Sequence, residues 1–334
     1  MRVLVLGGTR FFGRLIVGEL AGAGHEVVAV TRGRTPVELP PGVAHVALDR
    51  ADRAAFEGWL AGERFDAIVD NIAYDADDVR SVVRAAGGRL AHYLLTSTGS
   101  VYHQPFPRHP VREEEADLRY RGDGAYGEGK RRAELVLREE AGDAFPWTAI
   151  RPRVVLGPRD YTLREWWSTQ RVLDGGPVLL PAETADAVTT HTYAADLARL
   201  YAAALGNPVA FGKAYNAAQP DLLSPRALVE ETGRLLGRAP EVVAVPLATI
   251  RAAGLPDFAP PLARPHSPSD ITAARCDLGF TPTPLDEWLG ETVRWSAAHN
   301  TGQASAGYEQ RTREIAVAER YRDRLAELAR GFEA

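Results

Sequence analysis

The feature that most constrains the fold is a glycine-rich turn near the start of the chain. The apolar run Val3–Leu6 leads into Gly7-Gly8-Thr9-Arg10-Phe11-Phe12-Gly13, and the helical pattern Arg14–Leu20 and a second strand, Glu26–Thr31, follow. Glycine lets the backbone turn tightly, and the next helix presents free N–H groups and its positive dipole end to a phosphate. The segment therefore predicts a dinucleotide-binding unit. Its expected cofactor contacts are Gly7, Thr9, Arg10, Phe11, Phe12 and Gly13.

Short apolar runs alternate with helical patterns through the first half of the chain. Runs such as Val27–Val30 and Tyr93–Leu95 are apolar throughout, as is typical of parallel strands covered by helices on both faces. This alternation predicts an α/β fold with a Rossmann-type, doubly wound parallel sheet. Later stretches rich in Pro and Gly predict a smaller C-terminal substrate lobe.

We expect three parts along the chain. Residues 1–158 should form mainly the dinucleotide-binding domain, and residues 159–306 mainly a substrate-binding lobe interwoven with it. In residues 307–334, apolar side chains recur every three or four positions, which predicts an amphipathic helix packed on the body or on a partner subunit.

Composition excludes several classes of protein. The net charge of -5 and the pI near 6.0 argue against a general surface for nucleic acid or anionic membranes. The single cysteine, Cys276, cannot form an intramolecular disulfide, and no apolar run approaches the length of about 20 residues that spans a bilayer. The histidines lack metal-ligand spacing, so no metal is expected. The N-terminus lacks the pattern of a secretion signal, which predicts a cytoplasmic protein.

The end of the second strand bears on cofactor choice. It reads Thr31-Arg32-Gly33-Arg34, where an acidic residue normally binds the adenosine ribose. Guanidinium groups suit a 2'-phosphate, so Arg32 favours NADP over NAD. Asp49 is a candidate for binding the adenine amino group, and Ile72 and Ala73 should lie beside the cofactor.

Six segments in order carry a resemblance to a known family. They are Gly7–Gly13, Leu95–Tyr102, Tyr126–Lys130, Arg151–Pro158, Tyr193–Ala198 and Leu278–Leu285. Over nearly its whole length, the chain resembles an extended short-chain dehydrogenase/reductase of the NAD-dependent epimerase/dehydratase family. The resemblance implies that Tyr126 exchanges a proton with the substrate, that Lys130 also holds the nicotinamide ribose, and that Thr98 orients the substrate oxygen. Ser97 and Ser100 are alternatives for the role of Thr98. The resemblance also implies a homodimer.

Elementary chemistry agrees with these roles. A tyrosine hydroxyl has an ordinary pKa of about 10, and a nearby ammonium stabilises its phenolate. Residues four apart share one helix face, so Tyr126 and Lys130 should be neighbours. We further assign Arg50, Arg151 and Pro152 to the cofactor, and Ser100, Tyr102, Arg153, His191 and Arg264 to the substrate.

The substrate class is less constrained. The resemblance implies an epimerase or dehydratase acting on a nucleotide-sugar carbinol, whose relatives usually carry an asparagine at the position of Val154 and an arginine near Thr189. Both are absent here, and Arg264 is the preferred replacement. One alternative is an NADPH-dependent ketoreductase acting on a substrate without a nucleotide. Another, from a different class, is an RNA-binding protein on the same fold.

Overall fold

The protein is described by a computed structural model that covers residues 1–34, 38–142 and 145–332. The chain divides into two compact units. The first consists of Met1–Val155, Thr192–Pro220 and Ser269–Pro282, and the second of Leu156–His191, Asp221–Pro268 and Thr283–Ala334.

The strands are β1 (Arg2–Leu6), β2 (Glu26–Thr31), β3 (Ala44–Ala47), β4 (Ala67–Asp70), β5 (His92–Thr96), β6 (Trp147–Pro152), β7 (Val154–Leu156), β8 (Val178–Pro181), β9 (His191–Tyr193), β10 (Lys213–Ala217) and β11 (Val242–Val245). The helices are α1 (Phe11–Gly22), α2 (Arg53–Gly62), α3 (Ala76–Ala86), α4 (Ala125–Glu139), α5 (Trp166–Asp174), α6 (Ala194–Ala204), α7 (Pro225–Leu235), α8 (Leu247–Ala252), α9 (Thr272–Leu278), α10 (Leu285–His299) and α11 (Arg311–Phe332).

A seven-stranded parallel sheet forms the centre of the first unit. Its order is β10-β6-β5-β4-β1-β2-β3, so the direction of winding reverses between β1 and β4. Leu6 at the end of β1 lies opposite both Val30 of β2 and Asp70 of β4. Sheets of this kind bind ligands beyond the carboxyl ends of the strands, at the point of reversal. The predicted Rossmann-type, doubly wound sheet is confirmed.

Helices cover both faces of this sheet. Val3 and Val5 of β1 face a core that includes α1 and α6, whereas Leu4 and Leu6 face a core that includes α2, α3 and α4. All four side chains are fully buried. Burial of each contributes about 1.5 to 3 kcal/mol, which explains why the strands are apolar at every position.

Two segments beyond residue 158 belong to the first unit. β10 pairs with β6, with Lys213 opposite Thr148 and Ala217 opposite Pro152. Between them in the chain, α6 packs against α1 and shares its core. Long-range strand pairing therefore places part of the segment 159–306 in the first unit.

The second unit contains a two-stranded parallel sheet of β8 and β11, with Val178 opposite Val242. Its helices are α5, α7, α8, α10 and α11. Its apolar core includes Trp167, Leu179, Val243 and Val245.

The predicted C-terminal helix forms as α11, but its apolar stripe is only partly covered within this chain. Ala318 and Val317 are buried in the second unit, whereas Leu325, Leu328 and Phe332 are 48%, 59% and 84% exposed. None of the helices in the described residues is long and apolar enough to cross a membrane.

Candidate active site

The glycine turn lies at the edge where the central strands end. Gly7 follows β1 with a φ of 80°, a conformation that favours glycine. A Cβ atom added at Gly13 would lie 2.4 Å from the Gly7 carbonyl oxygen, so glycine is needed for α1 to approach the strand end this closely. Helix α1 begins at Phe11, and no side chain caps its N-terminus. Free N–H groups at a helix N-terminus suit a phosphate.

A buried amide adjoins this turn. Asn71 follows β4, is 8% exposed, and accepts a hydrogen bond of 2.6 Å from the Thr96 hydroxyl at its Oδ1. Its Nδ2 is buried without a hydrogen-bond partner among the described residues, and a Cβ at Gly13 would lie 3.4 Å from it. An unpaired buried donor costs about 1 to 3 kcal/mol, so this nitrogen is suited to a ligand in the turn. The close glycine turn and this donor fit a dinucleotide. Sequence analysis missed Asn71, whose only signal is its place directly after a central strand.

The other predicted residues around the turn differ in accessibility. The Phe11 and Ala73 side chains are buried in the two cores of the first unit, so only their backbones could meet a cofactor. Ile72 lies against Gly7, where an added Cβ would be 2.6 Å from its Cγ2. Arg10 is exposed, and Thr9 and Phe12 are half-buried.

Basic side chains gather after β2. Arg32 is exposed, and the guanidinium of Arg34 lies 3.7 Å from the Asp49 carboxylate. The Thr31 hydroxyl lies 2.8 Å from His45 Nε2. Asp49 also accepts the Ala51 backbone N–H at 3.0 Å, so its carboxylate already has protein partners.

Arg50, predicted to bind the cofactor, is occupied inside the protein. Its Nη1 donates to both carboxylate oxygens of Asp70 at 2.7 and 2.9 Å, and its Nη2 donates to the Asp78 carbonyl at 2.7 Å. Arg50 is 8% exposed. Because these bonds use the donors that a cofactor would need, Arg50 holds β4 and α3 together and is left out of the site that we propose.

The Tyr126 and Lys130 pair lies on the first turns of α4. Lys130 is buried, and its Nζ donates to the Thr96 carbonyl at 2.6 Å and lies 5.9 Å from the centre of the Tyr126 ring. Burial lowers the pKa of Lys130 to about 8. Tyr126 is 51% exposed. The helix therefore places a buried cation beside a phenol that a substrate can reach.

Two glycines between these residues fix the position of α4. A Cβ added at Gly129 would lie 2.3 Å from the Tyr74 carbonyl oxygen, and one at Gly127 would lie 2.7 Å from the Ser100 carbonyl oxygen. The helix thus packs against the loops after β4 and β5 with no room for side chains. Sequence analysis overlooked both glycines, although two glycines in a helical turn are unfavourable enough to signal a packing constraint.

Thr98 lies directly beyond β5. Its Oγ1 accepts the Ser100 backbone N–H at 3.1 Å and caps the short 3-10 turn Gly99–Val101. The Arg153 guanidinium donates to the Gly99 carbonyl at 2.8 Å. Ser100 itself is exposed. The structure therefore places Thr98 and Ser100 in one turn, which the Arg153 side chain contacts at the Gly99 carbonyl.

Arg151 and Tyr102, predicted to meet cofactor and substrate, belong instead to a buried network. Arg151 donates to both carboxylate oxygens of Glu134, at 2.9 and 2.6 Å, and its Nη1 donates to the Tyr102 hydroxyl at 3.0 Å. Glu134 also accepts a hydrogen bond from Ser97. Burial raises the pKa of Tyr102 to about 12. Arg151 and Tyr102 are almost fully buried, and their hydrogen bonds tie β6 to α4 and to the segment after β5. Pro152 is also buried.

The remaining predicted residues lie in the second unit. His191 is buried, with its ring centre 6.5 Å from that of Trp288. Arg264 is at the surface, where partial desolvation and then the charge of Arg164 lower the pKa of its guanidinium. The Thr189 hydroxyl is buried and lies 2.9 Å from that of Ser267.

The glycine turn Gly7–Gly13 and the Tyr126–Lys130 pair both lie in the stretch of the chain that matches a known protein family. The sequence model of the NAD dependent epimerase/dehydratase family matches residues 3–87 and 76–218, and the chain belongs to this family.

Two relatives and one solved structure are similar to this chain. The chain is 30% identical over 340 residues to 2-alkyl-3-oxoalkanoate reductase of Stenotrophomonas maltophilia, covering 89% of this chain and 100% of that protein. It is 28% identical over 228 residues to the chloroplast stem-loop binding protein of 41 kDa b of Arabidopsis thaliana, covering 64% of this chain but only 58% of the plant protein. A UDP-glucose 4-epimerase from Thermus thermophilus, solved with NAD, is similar with a TM-score of 0.72 and 22% identity, over 90% of this chain and 100% of that one. This last likeness concerns the fold.

Proposed function

We propose that this protein is an NADP(H)-dependent oxidoreductase that reduces a ketone, using Tyr126 as proton donor, Lys130 as its electrostatic support and Thr98 to orient the carbonyl oxygen. The observation that carries the proposal is the buried Lys130 ammonium, 5.9 Å from the ring centre of the half-exposed Tyr126.

Each residue has a part that its contacts support. The Lys130 ammonium stabilises negative charge on Tyr126 as the phenol gives its proton to the substrate oxygen. Thr98 accepts the Ser100 N–H, so its own hydroxyl proton remains to be donated to that oxygen. The turn Gly7–Gly13, Asn71 and Lys130 would hold the cofactor. When bound, the nicotinamide supplies the hydride.

The test of this chemistry is Tyr126→Phe, which removes the phenol proton and keeps the ring. Turnover should fall by about two to four orders of magnitude, while NADPH binding survives. Tyr308→Phe is the matched control, because its hydroxyl donates only to Asp174 in the second unit, and it should leave turnover unchanged. Near-normal turnover of Tyr126→Phe on the true substrate would refute the proposal.

NADP is the proposed cofactor because the end of β2 offers Arg32, and the nearby Asp49 is paired with Arg34. NADPH should bind more tightly than NADH in fluorescence titrations, and Arg32→Ala should erode the preference by about 1 to 3 kcal/mol. Arg64→Ala is the control, since it removes an exposed arginine that precedes β4, at the amino ends of the strands and away from the end of β2. Equal affinities of the parent protein for the two nucleotides would refute the preference.

Ketone reduction is favoured over nucleotide-sugar chemistry by two observations. The reductase relative from Stenotrophomonas aligns along its whole length, and its name specifies a 3-oxoalkanoate substrate. Thr189, where a phosphate-binding arginine would be expected, has a buried hydroxyl bonded to Ser267. A panel of 3-oxoalkanoates and other ketones, followed by NADPH absorbance, is the direct assay.

A nucleotide-sugar substrate remains the second candidate, because Arg264 and Arg164 lie close enough in the second unit for their charges to interact. Two neighbouring guanidinium groups suit a diphosphate, which a nucleotide-sugar enzyme must bind to position its sugar. Calorimetry with UDP, dTDP and GDP should then show binding of at least one, weakened by Arg264→Ala. If none binds at millimolar concentration while ketones are reduced, this candidate is eliminated.

RNA binding is the third candidate, and the name of the plant relative favours it. The net charge of -5 opposes it, since nucleic-acid binding depends mainly on basic surface. Filter retention of a stem-loop RNA that weakens as salt rises would support it.

A further inference from the structure

Lys130 is enclosed by aromatic rings on two sides. Its Nζ lies 5.0 Å from the centre of the Tyr74 ring and 5.9 Å from that of Tyr126, and the two ring centres are 6.5 Å apart. The Thr96 carbonyl accepts a hydrogen bond of 2.6 Å from the same nitrogen. Rings within about 6 Å of a cation attract it through their negative faces. Both aromatic rings therefore favour the charged form of the lysine.

The backbone holds the Tyr74 ring in this place. Its N–H donates to the Asp78 carboxylate at 2.8 Å, and its carbonyl oxygen meets Gly129, one residue before Lys130. Asp78 lies 3.4 Å from the Arg50 guanidinium. The loop after β4 is thus tied both to α3 and to the helix that carries Tyr126 and Lys130.

We propose that Tyr74 is a positioning residue that keeps the Lys130 ammonium charged and directed at Tyr126 through the face of its aromatic ring. This inference rests on the proposed function and names a residue outside the Thr98, Tyr126 and Lys130 set. The role is assigned to the ring, because it is the centre of the ring that lies 5.0 Å from the Lys130 Nζ.

The other charges that act on Lys130 set the background for the test. Asp70 on β4, Asp78 on α3 and Glu134 on α4 favour its charged form, whereas Arg50 opposes it. Desolvation is larger than any of these and lowers the pKa to about 8. Because the ring of Tyr74 favours the charged form, its removal lowers this pKa further.

The chain offers a direct measurement, since Lys130 and Lys213 are its only lysines. Protein labelled with 13C at the lysine side chain gives two signals, and their pH titration can be followed without cofactor or substrate. Lys213 is an internal control, because it is 48% exposed and its Nζ lies 2.8 Å from the Asp277 carboxylate. In the parent protein, we expect the Lys130 signal to titrate near pH 8.

Two matched variants separate the ring from the hydroxyl. Tyr74→Leu should lower the pKa of Lys130 by about 0.4 to 1.5, the equivalent of a cation–π contact, and leave Lys213 unchanged. Tyr74→Phe should leave both lysines unchanged. The alkaline limb of the kcat/KM profile should move to lower pH in Tyr74→Leu and not in Tyr74→Phe. Tyr74 is 54% exposed, so both variants should fold, and Tyr74→Met is a second variant without the ring.

The outcomes distinguish this inference from the proposed function. If Tyr126→Phe keeps its turnover, the proposed chemistry fails and the inference with it. If Tyr126→Phe loses turnover while Tyr74→Leu changes neither the pKa of Lys130 nor the alkaline limb, only the role of Tyr74 is wrong. An equal shift in Tyr74→Phe would assign the effect to the hydroxyl and overturn the inference as well.

Discussion

Gly129→Ala is the sharpest test of how α4 is positioned. The added Cβ would lie 2.3 Å from the Tyr74 carbonyl oxygen, whereas even tight Cβ contacts begin at 3.0 Å. The helix or the loop after β4 must therefore move by about 0.7 Å or more. The contacted atom belongs to the backbone, so no side chain can rotate out of the way.

The energetic result follows from two opposing effects. Alanine is favoured over glycine in a helix by about 1 kcal/mol, whereas forced movement of packed elements costs about 1 to 3 kcal/mol. Gly129→Ala should therefore lower the free energy of unfolding by about 0 to 2 kcal/mol. Gly58→Ala, on the exposed face of α2 with no atom within 4 Å of its added Cβ, should raise it by about 0.5 to 1 kcal/mol.

Activity provides the second readout. Lys130 follows Gly129 directly, and a displacement approaching 1 Å at a reacting group can cost about 100-fold. We expect kcat/KM to fall about 10- to 100-fold in Gly129→Ala and to remain unchanged in Gly58→Ala. Urea unfolding and steady-state kinetics check both expectations. Equal stabilisation by the two substitutions, with full activity in each, would refute the reasoning.

Two further predictions concern buried polar groups. Glu134→Gln leaves the fully buried Arg151 without its counter-charge and should lower the free energy of unfolding by about 3 to 5 kcal/mol. Urea unfolding at pH 7 measures this loss, and a loss below about 1 kcal/mol would contradict the prediction. His92 accepts the Gly206 N–H at its Nδ1, so it is neutral when folded, and burial lowers its pKa to about 4 from an ordinary 6.5. The stability that neutral His92 contributes is present above pH 6.5 and is lost as the pH falls towards 4. Over that window, the free energy of unfolding of the parent protein should fall by about 3 kcal/mol more than that of His92→Gln. Parallel curves of the free energy of unfolding against pH would refute the pKa shift.

The sequence predicts those parts of the site that depend on local spacing. The turn from Gly7 to Gly13 follows a strand and opens a helix, and residues four apart on α4 become neighbours because of helix geometry. Thr98 follows from the family resemblance, which implies a hydroxyl four residues before Tyr102. None of these steps requires knowing which distant segment packs nearby.

Where the structure departs from these expectations, the physical cause is that buried partners come from elsewhere in the chain. Arg50 and Arg151 look like ligands for a cofactor, yet Asp70 and Glu134 neutralise them. Those partners lie 20 and 17 residues away in the sequence, and neither the helix repeat nor the strand repeat predicts contacts at such separations. Tyr74 is missed for the same reason, because only the fold brings its ring to Lys130.

The choice of lysine at position 130 follows from the same burial. Lysine occurs only twice in a chain with 39 lysine and arginine residues, so arginine is the usual cation here. A guanidinium carries five donors and keeps its proton at any accessible pH, whereas the buried Nζ of Lys130 donates to the Thr96 carbonyl. Burial brings the pKa of the Lys130 ammonium to about 8, close to neutral pH. In the proposed site, the basic side chain is the one whose charge responds to its surroundings, which here combine desolvation, two tyrosine rings and a backbone carbonyl.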